Sequence, residues 1–363
     1  MTPLQLGATI GILGDGQLGR MLSQAASRLG FKVVTFGPDK ESPAAQVSLA
    51  SKVAAYSDEA ALSRLAERCD VITFEFENVP AASLDYLVGL GATVAPSSRA
   101  LRITQDRVLE KTFAREQGIG TADFRAVDSL EDLKAAVVAL GLPALLKTRR
   151  EGYDGKGQVW IRSEDEVAAA YVKLGGRAAI LEAKADFTRE ISVVAARGWD
   201  GAVKTFPIGE NHHVGGILAT TLAPAVISEA VAASAHEIAR KVLEGLDYVG
   251  VLAVELFALP GDVLLLNEIA PRVHNSGHWT QDGCPCDQFE QHIRAIAGWP
   301  LGDTAALYTV EMTNLLGPDI LAWPELAAEP RARLYVYGKD GVYSKDGPRP
   351  GRKMGHINRI KKA

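Results

Sequence analysis

The stretch Val251-Leu-Ala-Val-Glu-Leu-Phe-Ala-Leu-Pro-Gly-Asp-Val-Leu-Leu-Leu-Asn-Glu-Ile269 predicts two apolar strands joined by a tight turn. If Gly261-Asp262 form a two-residue turn, the hairpin ladder places Glu255 directly opposite Glu268. Opposed residues on one face of a hairpin have Cβ atoms about 4.5–5.5 Å apart, so two like charges there destabilise the pair. Because the neighbouring residues are apolar and predict a buried sheet, the facing acids need a partner that compensates their charge.

A divalent cation is the partner that suits these acids best. Two carboxylates, with Asn267 beside them and phosphate oxygens from a ligand, form the hard oxygen donor set that Mg²⁺ prefers. The sequence therefore predicts a magnesium site at Glu255 and Glu268. The alternatives are two exposed acids on a wet face of the sheet, or a pair in which one carboxyl group is protonated.

Length and composition are those of an ordinary globular protein. The 363 residues predict two or three compact units. A count of 39 basic against 44 acidic residues gives a net charge of −5, which argues against nucleic acid as a partner. The sequence shows no targeting segment and no apolar run near the roughly 18 residues of a membrane span. Three cysteines fit a reducing compartment, so we expect a cytoplasmic protein, with Cys284 and Cys286 as reduced structural thiols rather than half of a metal site.

The first hundred residues alternate short apolar strands with helices. Strands separated by helical stretches imply right-handed crossovers and a parallel sheet, so this part predicts an α/β unit. A small α+β unit and a larger unit of long strands and hairpins follow. The pattern predicts strands at Thr9–Leu13, Lys32–Phe36, Val71–Phe76, Thr93–Ala95, Pro143–Thr148, Gln158–Arg162, Ala178–Ala183, Glu190–Arg197 and Ala202–Ile208, and helices at Gln17–Leu29, Asp58–Cys69, Gln105–Gln117 and Ser228–Leu246.

The first glycine-rich loop, Gly14-Asp-Gly-Gln-Leu-Gly19, lies between a predicted strand and a predicted helix. With Asp39 about 20 residues further on, it matches the G-x-G-x-x-G fingerprint of dinucleotide-binding proteins. The physical requirement is only an anion site, at which free backbone N–H groups of a helix N-terminus meet a phosphate. A dinucleotide such as NAD, the monophosphate of a small metabolite and a purely structural turn all remain open on this motif alone.

A second glycine-rich loop, Gly152-Tyr-Asp-Gly-Lys-Gly-Gln158, lies between two predicted strands, and Lys147 ends the first of them. A lysine in that place must be paired or lie at the mouth of a cleft, because burying an ammonium group alone is costly. The loop is not a Walker motif, but a flexible cationic hairpin suits a lid over phosphates. The alternatives are an ordinary mobile hairpin and a lysine that extends to solvent.

The segment Arg272-Val-His-Asn-Ser-Gly-His-Trp-Thr280 follows the predicted hairpin and is rich in side chains that form hydrogen bonds. Arg272 offers a bidentate fork for an anion. His274 and His278 are a weaker candidate pair for zinc, because the neighbouring donors are oxygens and no third histidine is near in sequence. The segment therefore predicts a polar binding surface next to the paired acids.

Four further stretches accompany these motifs: Gly16-Gln-Leu-Gly-Arg-Met21, Phe74-Glu-Phe-Glu-Asn78, Tyr248-Val-Gly-Val251 and Pro350-Gly-Arg-Lys-Met-Gly-His356. Together the motifs resemble those of the N5-carboxyaminoimidazole ribonucleotide synthetases, which are ATP-grasp ligases of purine biosynthesis. The matches run from residue 10 to residue 356, and the stretch 267–280 is the most specific. The resemblance implies that ATP, bicarbonate and 5-aminoimidazole ribonucleotide give ADP, phosphate and the N5-carboxylated ribonucleotide.

The resemblance also implies an ATP-grasp fold in three subdomains. These would be a Rossmann-like unit over residues 1–107, a small α+β lid over residues 108–182, and a larger α+β unit over residues 183–363 that ends in a basic tail. ATP would lie between the second and the third, and a homodimer would form through the first. The rival interpretations are an NAD(P)-dependent oxidoreductase, another ATP-grasp ligase such as one that uses formate, and a non-catalytic nucleotide-binding relative.

Roles for single residues follow from the same resemblance. Residues expected to contact ATP are Arg107, Lys147, Gly152, Tyr153, Asp154, Gly155, Lys156, Gly157, Gln158, Glu182, Ala183, Lys184, Ala185, Glu190, His213, Asn267 and Glu268, while Glu255 and Glu268 would hold Mg²⁺. Residues expected to contact the ribonucleotide are Gly16, Gln17, Leu18, Glu75, Tyr153, Arg272, His274, Asn275, Ser276, Arg352 and Lys353. For catalysis, Lys147 and Arg272 are expected to supply positive charge, and Asp154 and His274 to orient the amine or move its proton.

Overall fold

The computed structural model describes residues 1–152, 156–339 and 347–361. Along the chain, the described residues form a parallel sheet, a small antiparallel sheet and a long antiparallel sheet. This succession confirms the predicted fold class. In the same described ranges, no helix is both long enough and apolar enough to cross a membrane.

The first sheet is parallel, with the strand order β3-β2-β1-β4. Several details differ from the prediction: the strand predicted over Val71–Phe76 ends at Phe74, and the helix predicted over Asp58–Cys69 ends at Ala66. Residues 93–95 contribute only a bridge from Val94 to Ile72. Strand β3 was not predicted, because its sequence Ala-Ser-Lys-Val is half polar and alternates between partly buried and exposed positions. The elements are β1 (Thr9–Leu13), α1 (Gln17–Arg28), β2 (Lys32–Gly37), β3 (Ala50–Val53), α2 (Glu59–Ala66), β4 (Val71–Phe74), α3 (Ala81–Gly89) and α4 (Ser98–Thr104).

The small sheet is antiparallel, with the strand order β5-β8-β6-β7. The helix predicted over Gln105–Gln117 begins only at Arg107, because the Asp106 carboxylate accepts hydrogen bonds from the backbone N–H groups of Val108 and Leu109 and caps it. The elements are α5 (Arg107–Glu116), β5 (Phe124–Val127), α6 (Leu130–Leu140), β6 (Ala144–Thr148), β7 (Gln158–Ile161), α7 (Val167–Lys173) and β8 (Ala179–Ala183).

The long sheet has the strand order β14-β13-β9-β11-β12-β15-β17-β16, and β10 pairs with β9. The strand predicted over Ala202–Ile208 is wrong in its second half: β10 ends at Thr205, since Pro207 cannot donate to a ladder. The elements are β9 (Arg189–Arg197), β10 (Val203–Thr205), β11 (Gly209–Val214), β12 (Ile217–Ala223), α8 (Glu229–Gly245), β13 (Gly250–Leu259), β14 (Val263–Ala270), α9 (Thr280–Gly283), α10 (Gln288–Ile296), β15 (Val310–Leu316), α11 (Trp323–Ala328), β16 (Ala332–Val336) and β17 (Lys353–Ile360).

The hairpin of β13 and β14 pairs Glu255 with Glu268, as predicted, but by a different route. Leu259 pairs with Val263, so the connection contains three residues and the predicted two-residue turn is wrong. This longer connection shifts the register by one residue, and a β-bulge at Asn267, which has no partner on β13, shifts it back. The bulge also changes the side-chain alternation, so that Leu266 packs in the core while Glu268 lies on the other face.

Helices cover both faces of the long sheet. Helices α1 and α10 pack together on the face that carries Val194 and Ala253. Helix α8 covers the opposite face, and α5 joins it there through Phe113 and Ala114. Helix α5 therefore shares a core with the long sheet, although the predicted boundary at residue 108 groups it with the small sheet; that boundary stays a prediction.

Candidate active site

A cluster of charges lies where α5, the small sheet and the long sheet meet. Lys147 at the end of β6 is paired, as predicted: its Nζ donates to Glu182 Oε2 at 2.9 Å. Lys111 of α5 lies on the other side, with its Nζ 3.6 Å from Glu182 Oε1. Burial alone would raise the pKa of Glu182, but the two ammonium groups outweigh it and hold the pKa below its usual value. Glu182 is therefore an anion that keeps two buried lysines in place.

Helix α5 also supplies polar partners to the bulge in β14. The Nζ atom of Lys111 donates to the carbonyl oxygens of Asn267 at 3.2 Å and Leu266 at 3.5 Å. The carboxylate of Glu110 accepts a hydrogen bond from the Ile269 N–H at 2.7 Å. Burial, with Glu268 nearby, raises the pKa of Glu110 above its ordinary value. These contacts fix the strand segment that carries Glu268.

Arg107 begins α5 and connects the second glycine-rich loop to the paired acids. Its Nη1 lies 3.3 Å from Glu268 Oε2, and its Nη2 donates to the Gly152 carbonyl at 3.0 Å. Burial lowers the pKa of Arg107, but Glu268, Glu110 and Glu182 outweigh that effect and raise it. The guanidinium group thus stays charged at the edge of the loop.

The paired acids face a group of neighbours that differ in charge. Glu255 is buried, and its pKa is raised first by burial and then by the facing Glu268. The His213 Nδ1 lies 2.7 Å from Glu190 Oε2, and the His274 Nδ1 lies 3.7 Å from Glu255 Oε1. A carboxylate pair in which Glu255 is buried and Glu268 is partly exposed fits a divalent cation by the chemistry of its donors. Among the described residues, no group of three or more His, Cys, Asp or Glu side chains could hold a metal by itself, so remaining ligands would come from water or a bound phosphate.

A cavity of about 460 Å³ opens beside Glu190 and His213. Phe187 at its edge stacks on Phe257 of β13, with ring centroids 4.3 Å apart. The hinge segment 182–185, whose residues are expected to contact ATP, lies before Phe187 in the chain. Ala183 ends β8, Lys184 and Ala185 follow, and Lys184 pairs with Asp186 at 2.5 Å. An aromatic edge, a carboxylate and a histidine suit a flat ring with a hydroxylated substituent.

The segment 272–280 lies against the paired acids. The Arg272 guanidinium pairs with Glu77, which follows β4, and Nη1 donates to the Val273 carbonyl at 3.1 Å. Burial lowers the pKa of Arg272, but Glu77 outweighs it and raises the pKa. The His274 imidazole contacts Ser276 Oγ at 2.9 Å, and burial followed by the nearby Arg272 lowers its pKa. The segment therefore brings a permanent cation, Arg272, and the neutral imidazole of His274 to the paired acids.

The side chain of Asn275 forms hydrogen bonds with an asparagine of the long sheet. Its side-chain amide exchanges two hydrogen bonds with Asn314 of β15, at 2.9 and 2.6 Å. This reciprocal pair leaves each amide with one further donor and one lone pair directed elsewhere. It fixes the position of Asn275 at the rim of the cleft.

The first glycine-rich loop binds a carboxylate of the chain itself. Glu75 is buried and accepts hydrogen bonds from the N–H groups of Gly16 at 2.9 Å and Gly19 at 3.1 Å. Burial raises the pKa of Glu75, and these two N–H groups oppose the rise. Asp15 accepts in the same way from the Asp39 N–H at 3.1 Å. Because these donors are occupied by acids, the geometry favours the structural alternative over a pyrophosphate site at Gly16 and Gly19.

The tail brings a further cation to the cleft. Lys353 begins β17 beside Leu316 of β15, and its charge lowers the pKa values of Glu77 and His274 and opposes the rise at Glu255. Arg352 precedes it, and its carbonyl accepts from the Gly317 N–H.

The second glycine-rich loop is described only in part. Tyr153, Asp154 and Gly155 lie outside the described residues. Gly157 has a positive φ of 70°, and Gln158 begins β7.

Comparisons with known proteins cover nearly the whole chain. Family models match the ribonucleotide synthetase preATP-grasp domain at residues 7–105, the ATP-grasp domain at 112–289 and the phosphoribosylaminoimidazole carboxylase C-terminal domain at 311–363. The N5-carboxyaminoimidazole ribonucleotide synthase of Brucella melitensis is 51% identical over 362 residues, which cover 99% of this chain and 98% of the relative. This chain belongs to the N5-carboxyaminoimidazole ribonucleotide synthase family.

Solved structures of this synthase family share the fold. An N5-carboxyaminoimidazole ribonucleotide synthetase in complex with ADP superposes with a TM-score of 0.94 at 42% identity, over 99% of this chain and 94% of that chain. The enzyme from Aspergillus clavatus, in complex with ADP and 5-aminoimidazole ribonucleotide, has a TM-score of 0.90 at 32% identity, over 98% of this chain and 94% of that chain. As a member of the synthase family, this chain is an ATP-grasp enzyme, and the expected family is confirmed.

Several residues of the candidate site were not predicted from the sequence. Glu110, Lys111 and Glu77 take part in the charge cluster, and Gln288 contacts the segment 272–280. A signal was present for α5, because Glu110 lies three and four positions before the core residues Phe113 and Ala114. A charged residue in phase with an apolar stripe indicates a buried ionic contact.

Proposed function

We propose that this chain catalyses the reaction for which its family is named. Bicarbonate and the γ-phosphate of ATP would combine, and the exocyclic amine of 5-aminoimidazole ribonucleotide would receive the carboxyl group in de novo purine biosynthesis. The observation that carries the proposal is the charge cluster of Lys147, Glu182 and Lys111 beside the opposed acids Glu255 and Glu268. It lies at the junction of the small and the long sheet, in a chain of this family.

ATP would bind at that junction, between subdomains 108–182 and 183–363, with residues 1–107 forming the third subdomain. Lys147 is well suited to the phosphates, because its hydrogen bond to Glu182 at 2.9 Å holds the ammonium group in one buried position. The adenine would lie beside the hinge 182–185, near the cavity, and Glu190 would bind the ribose with His213 alongside. Arg107, the loop 152–158 and Asn267 would complete the contacts.

Mg²⁺ would be held by Glu255 and Glu268. When bound, it would neutralise charge on the phosphates and on these two acids. The raised pKa of Glu255 supports this assignment, because a buried acid facing another acid needs a cation to remain ionised at neutral pH.

The ribonucleotide would lie in the cleft formed by the first glycine-rich loop, Arg272 and the tail. Its phosphate would be held by Arg352 and Lys353 or near Gly16, Gln17 and Leu18. Glu75, Asn275 and Ser276 would contact the remainder. Since the first loop already binds Glu75, the basic tail is the stronger of the two phosphate sites.

The chemistry would proceed in three steps: a displacement at phosphorus, a fragmentation and an addition. A bicarbonate oxygen attacks the γ-phosphorus, ADP leaves, and carboxyphosphate forms; this then separates into CO₂ and phosphate, and the amine adds to CO₂ and loses one proton. Lys147 and Arg272 would stabilise the charge that develops on the transferring groups. His274 is neutral at pH 7 and so can accept that proton, with Asp154 as the second candidate. The loop 152–158 would act as the lid that keeps water from carboxyphosphate.

Cytoplasmic location and a homodimer formed through the first subdomain belong to the same proposal, and both rest on the family. The decisive experiment measures ADP release from the purified protein while ATP, bicarbonate, Mg²⁺ or the aminoimidazole ribonucleotide is omitted in turn. We expect release only with the complete mixture. Release that persists when formate replaces bicarbonate would favour a different ATP-grasp ligase, and ATP binding without any release would refute the reaction.

A further inference from the structure

Gln288, the first residue of α10, contacts the backbone of His274 through both ends of its side-chain amide. Its Oε1 accepts a hydrogen bond from the His274 N–H at 2.9 Å, and its Nε2 donates to the His274 carbonyl at 2.8 Å. The second hydrogen on Nε2 points to His278 Nδ1 at 3.0 Å. The side chain is fully buried, so all of its contacts are with the protein. One amide thus joins the helix to two histidines of the segment 272–280.

The packing around this amide leaves no room for movement. A Cβ atom added to Gly277 would lie 2.6 Å from Gln288 Oε1 and 2.9 Å from a methyl group of Val194. The Thr280 hydroxyl donates to the Gly277 carbonyl at 2.7 Å and accepts from the Gln288 N–H at 3.1 Å. The short 3₁₀ turn Asn275–Gly277 is therefore held from both sides.

We propose that Gln288 is a positioning residue that holds the His274 imidazole in the place where it can serve the reaction. The argument is geometric: the backbone of His274 is fixed by Gln288, and its side chain then lies 2.9 Å from Ser276 Oγ and 3.7 Å from Glu255 Oε1. A buried amide with every polar atom satisfied defines a single arrangement, because each alternative leaves an unpaired polar group. The kinetic consequence rests on the proposed function; the structural role of the amide does not.

The same helix contains a matched control. Gln291 is also fully buried, and its amide makes the same two-sided contact with the backbone of one residue: Oε1 accepts from the Gly302 N–H at 2.7 Å, and Nε2 donates to the Gly302 carbonyl at 3.1 Å. Its Oε1 also accepts from the Cys286 thiol at 3.4 Å. Gly302 lies in a loop that carries none of the proposed site residues. Replacing either glutamine by methionine removes two backbone hydrogen bonds and keeps the volume nearly constant.

The experiment compares Gln288→Met and Gln291→Met by hydrogen exchange and by kinetics. We expect faster amide exchange than in wild type over residues 272–280 only in Gln288→Met. Near residue 302, we expect faster exchange only in Gln291→Met. We expect kcat to fall about ten- to hundredfold in Gln288→Met with KM for ATP within about twofold of wild type, since small displacements of a reacting group cost that much. In Gln291→Met, kcat should stay within about twofold of wild type. Equal losses of kcat in both variants, or unchanged exchange over 272–280, would overturn the proposal.

Gln288→Glu gives a second test and keeps the comparison possible if the methionine variant does not fold. The ionised carboxylate can accept from the His274 N–H but cannot donate to its carbonyl, whereas the protonated acid can do both. We therefore expect the ratio of kcat to the wild-type kcat to rise several-fold as the pH falls from 8 to 6. Dividing by wild type removes the titration that His274 and His278 contribute to both proteins. A ratio near one at both pH values would refute the role of the donor.

The two parts of the inference fail separately. If the wild-type protein releases no ADP in the complete mixture, the proposed function is wrong, and the exchange measurement alone then decides whether Gln288 fixes the segment. If wild type is active and Gln288→Met is as active, the positioning role is wrong while the function stands.

Discussion

Protonation of one buried histidine should weaken the joint between the first sheet and the long sheet. His292 of α10 is fully buried; its Nδ1 accepts from the Val251 N–H at 3.0 Å, so its Nε2 carries the hydrogen and donates to Thr73 Oγ1 at 2.8 Å. Burial lowers its pKa to about 3. Thr73 lies four residues before Glu77, the partner of Arg272, so this joint positions one side of the cleft.

The magnitude follows from the difference between the folded pKa and the ordinary value of 6.5. A histidine whose pKa is lowered by folding contributes its full stability above pH 6.5 and loses it as the pH falls toward 3. Each unit of pKa difference is worth about 1.4 kcal/mol. Between pH 7.5 and pH 5.5, His292 should therefore lower the free energy of unfolding by about 1.4 kcal/mol, a large part of the roughly 5–15 kcal/mol of a typical domain.

Urea unfolding at these two pH values tests the reasoning with two variants. In His292→Gln, an amide that does not titrate can still accept from Val251 and donate to Thr73, so the loss of stability should be about 1.4 kcal/mol smaller than in wild type. Thr73→Val removes one hydrogen bond but keeps the histidine, so it should be less stable at both pH values with the wild-type pH dependence. A His292→Gln protein with the same pH dependence as wild type would refute the assignment of a neutral buried imidazole.

The remaining predictions concern the charge cluster and the first loop. Glu268→Gln should abolish ADP release, since the proposed cation loses a charged ligand, and near-normal turnover would overturn that assignment. Lys111→Met should lower the free energy of unfolding by about 2–4 kcal/mol and weaken ADP binding in calorimetry, because Glu182 and the Asn267 carbonyl lose a partner; unchanged stability would contradict the role of this lysine. Glu75→Gln should raise KM for the ribonucleotide several-fold and leave KM for ATP unchanged, because an amide group then faces two N–H donors. Steady-state kinetics with each substrate varied measures both constants, and a raised KM for ATP with an unchanged KM for the ribonucleotide would contradict the prediction.

Regular patterns predicted most of the fold. Apolar runs bounded by glycine or proline marked β1, β2, β4 and β6, but only four of the nine described strands of the long sheet, namely β9, β10, β13 and β14. Asp58 and Ser129 cap α2 and α6 through side-chain hydrogen bonds. These signals are local, because a strand or a cap depends on residues only a few positions apart. Strand β3 depends on tertiary pairing and could not be found in that way, whereas Pro207 is a local signal for the break after Thr205.

The parts of the candidate site that lie in continuous sequence motifs could be predicted. The acids at 255 and 268, Lys147 and the segment 272–280 each lie in such a stretch. Glu110, Lys111, Glu77 and Gln288 were missed because each acts on a distant part of the chain, across 14 residues for Gln288 and His274 and 195 for Glu77 and Arg272. A sequence shows that such a residue is polar, but not which unpaired group it will meet.

The facing glutamates illustrate how a correct result can follow from an incomplete geometry. The prediction assumed a two-residue turn and a regular ladder; the hairpin instead has a three-residue connection and a bulge, and these two offsets cancel. The bulge has a purpose that a regular ladder lacks, because it turns Glu268 away from the core face on which Leu266 and Ile269 pack. A bulge leaves backbone groups without ladder partners, and Lys111 and Glu110 of α5 bind the carbonyl of Asn267 and the N–H of Ile269. Helix α5 and strand β14 are therefore one unit: charged residues on the apolar stripe of the helix bind the backbone groups that the bulge leaves unpaired, and so fix the segment that carries Glu268.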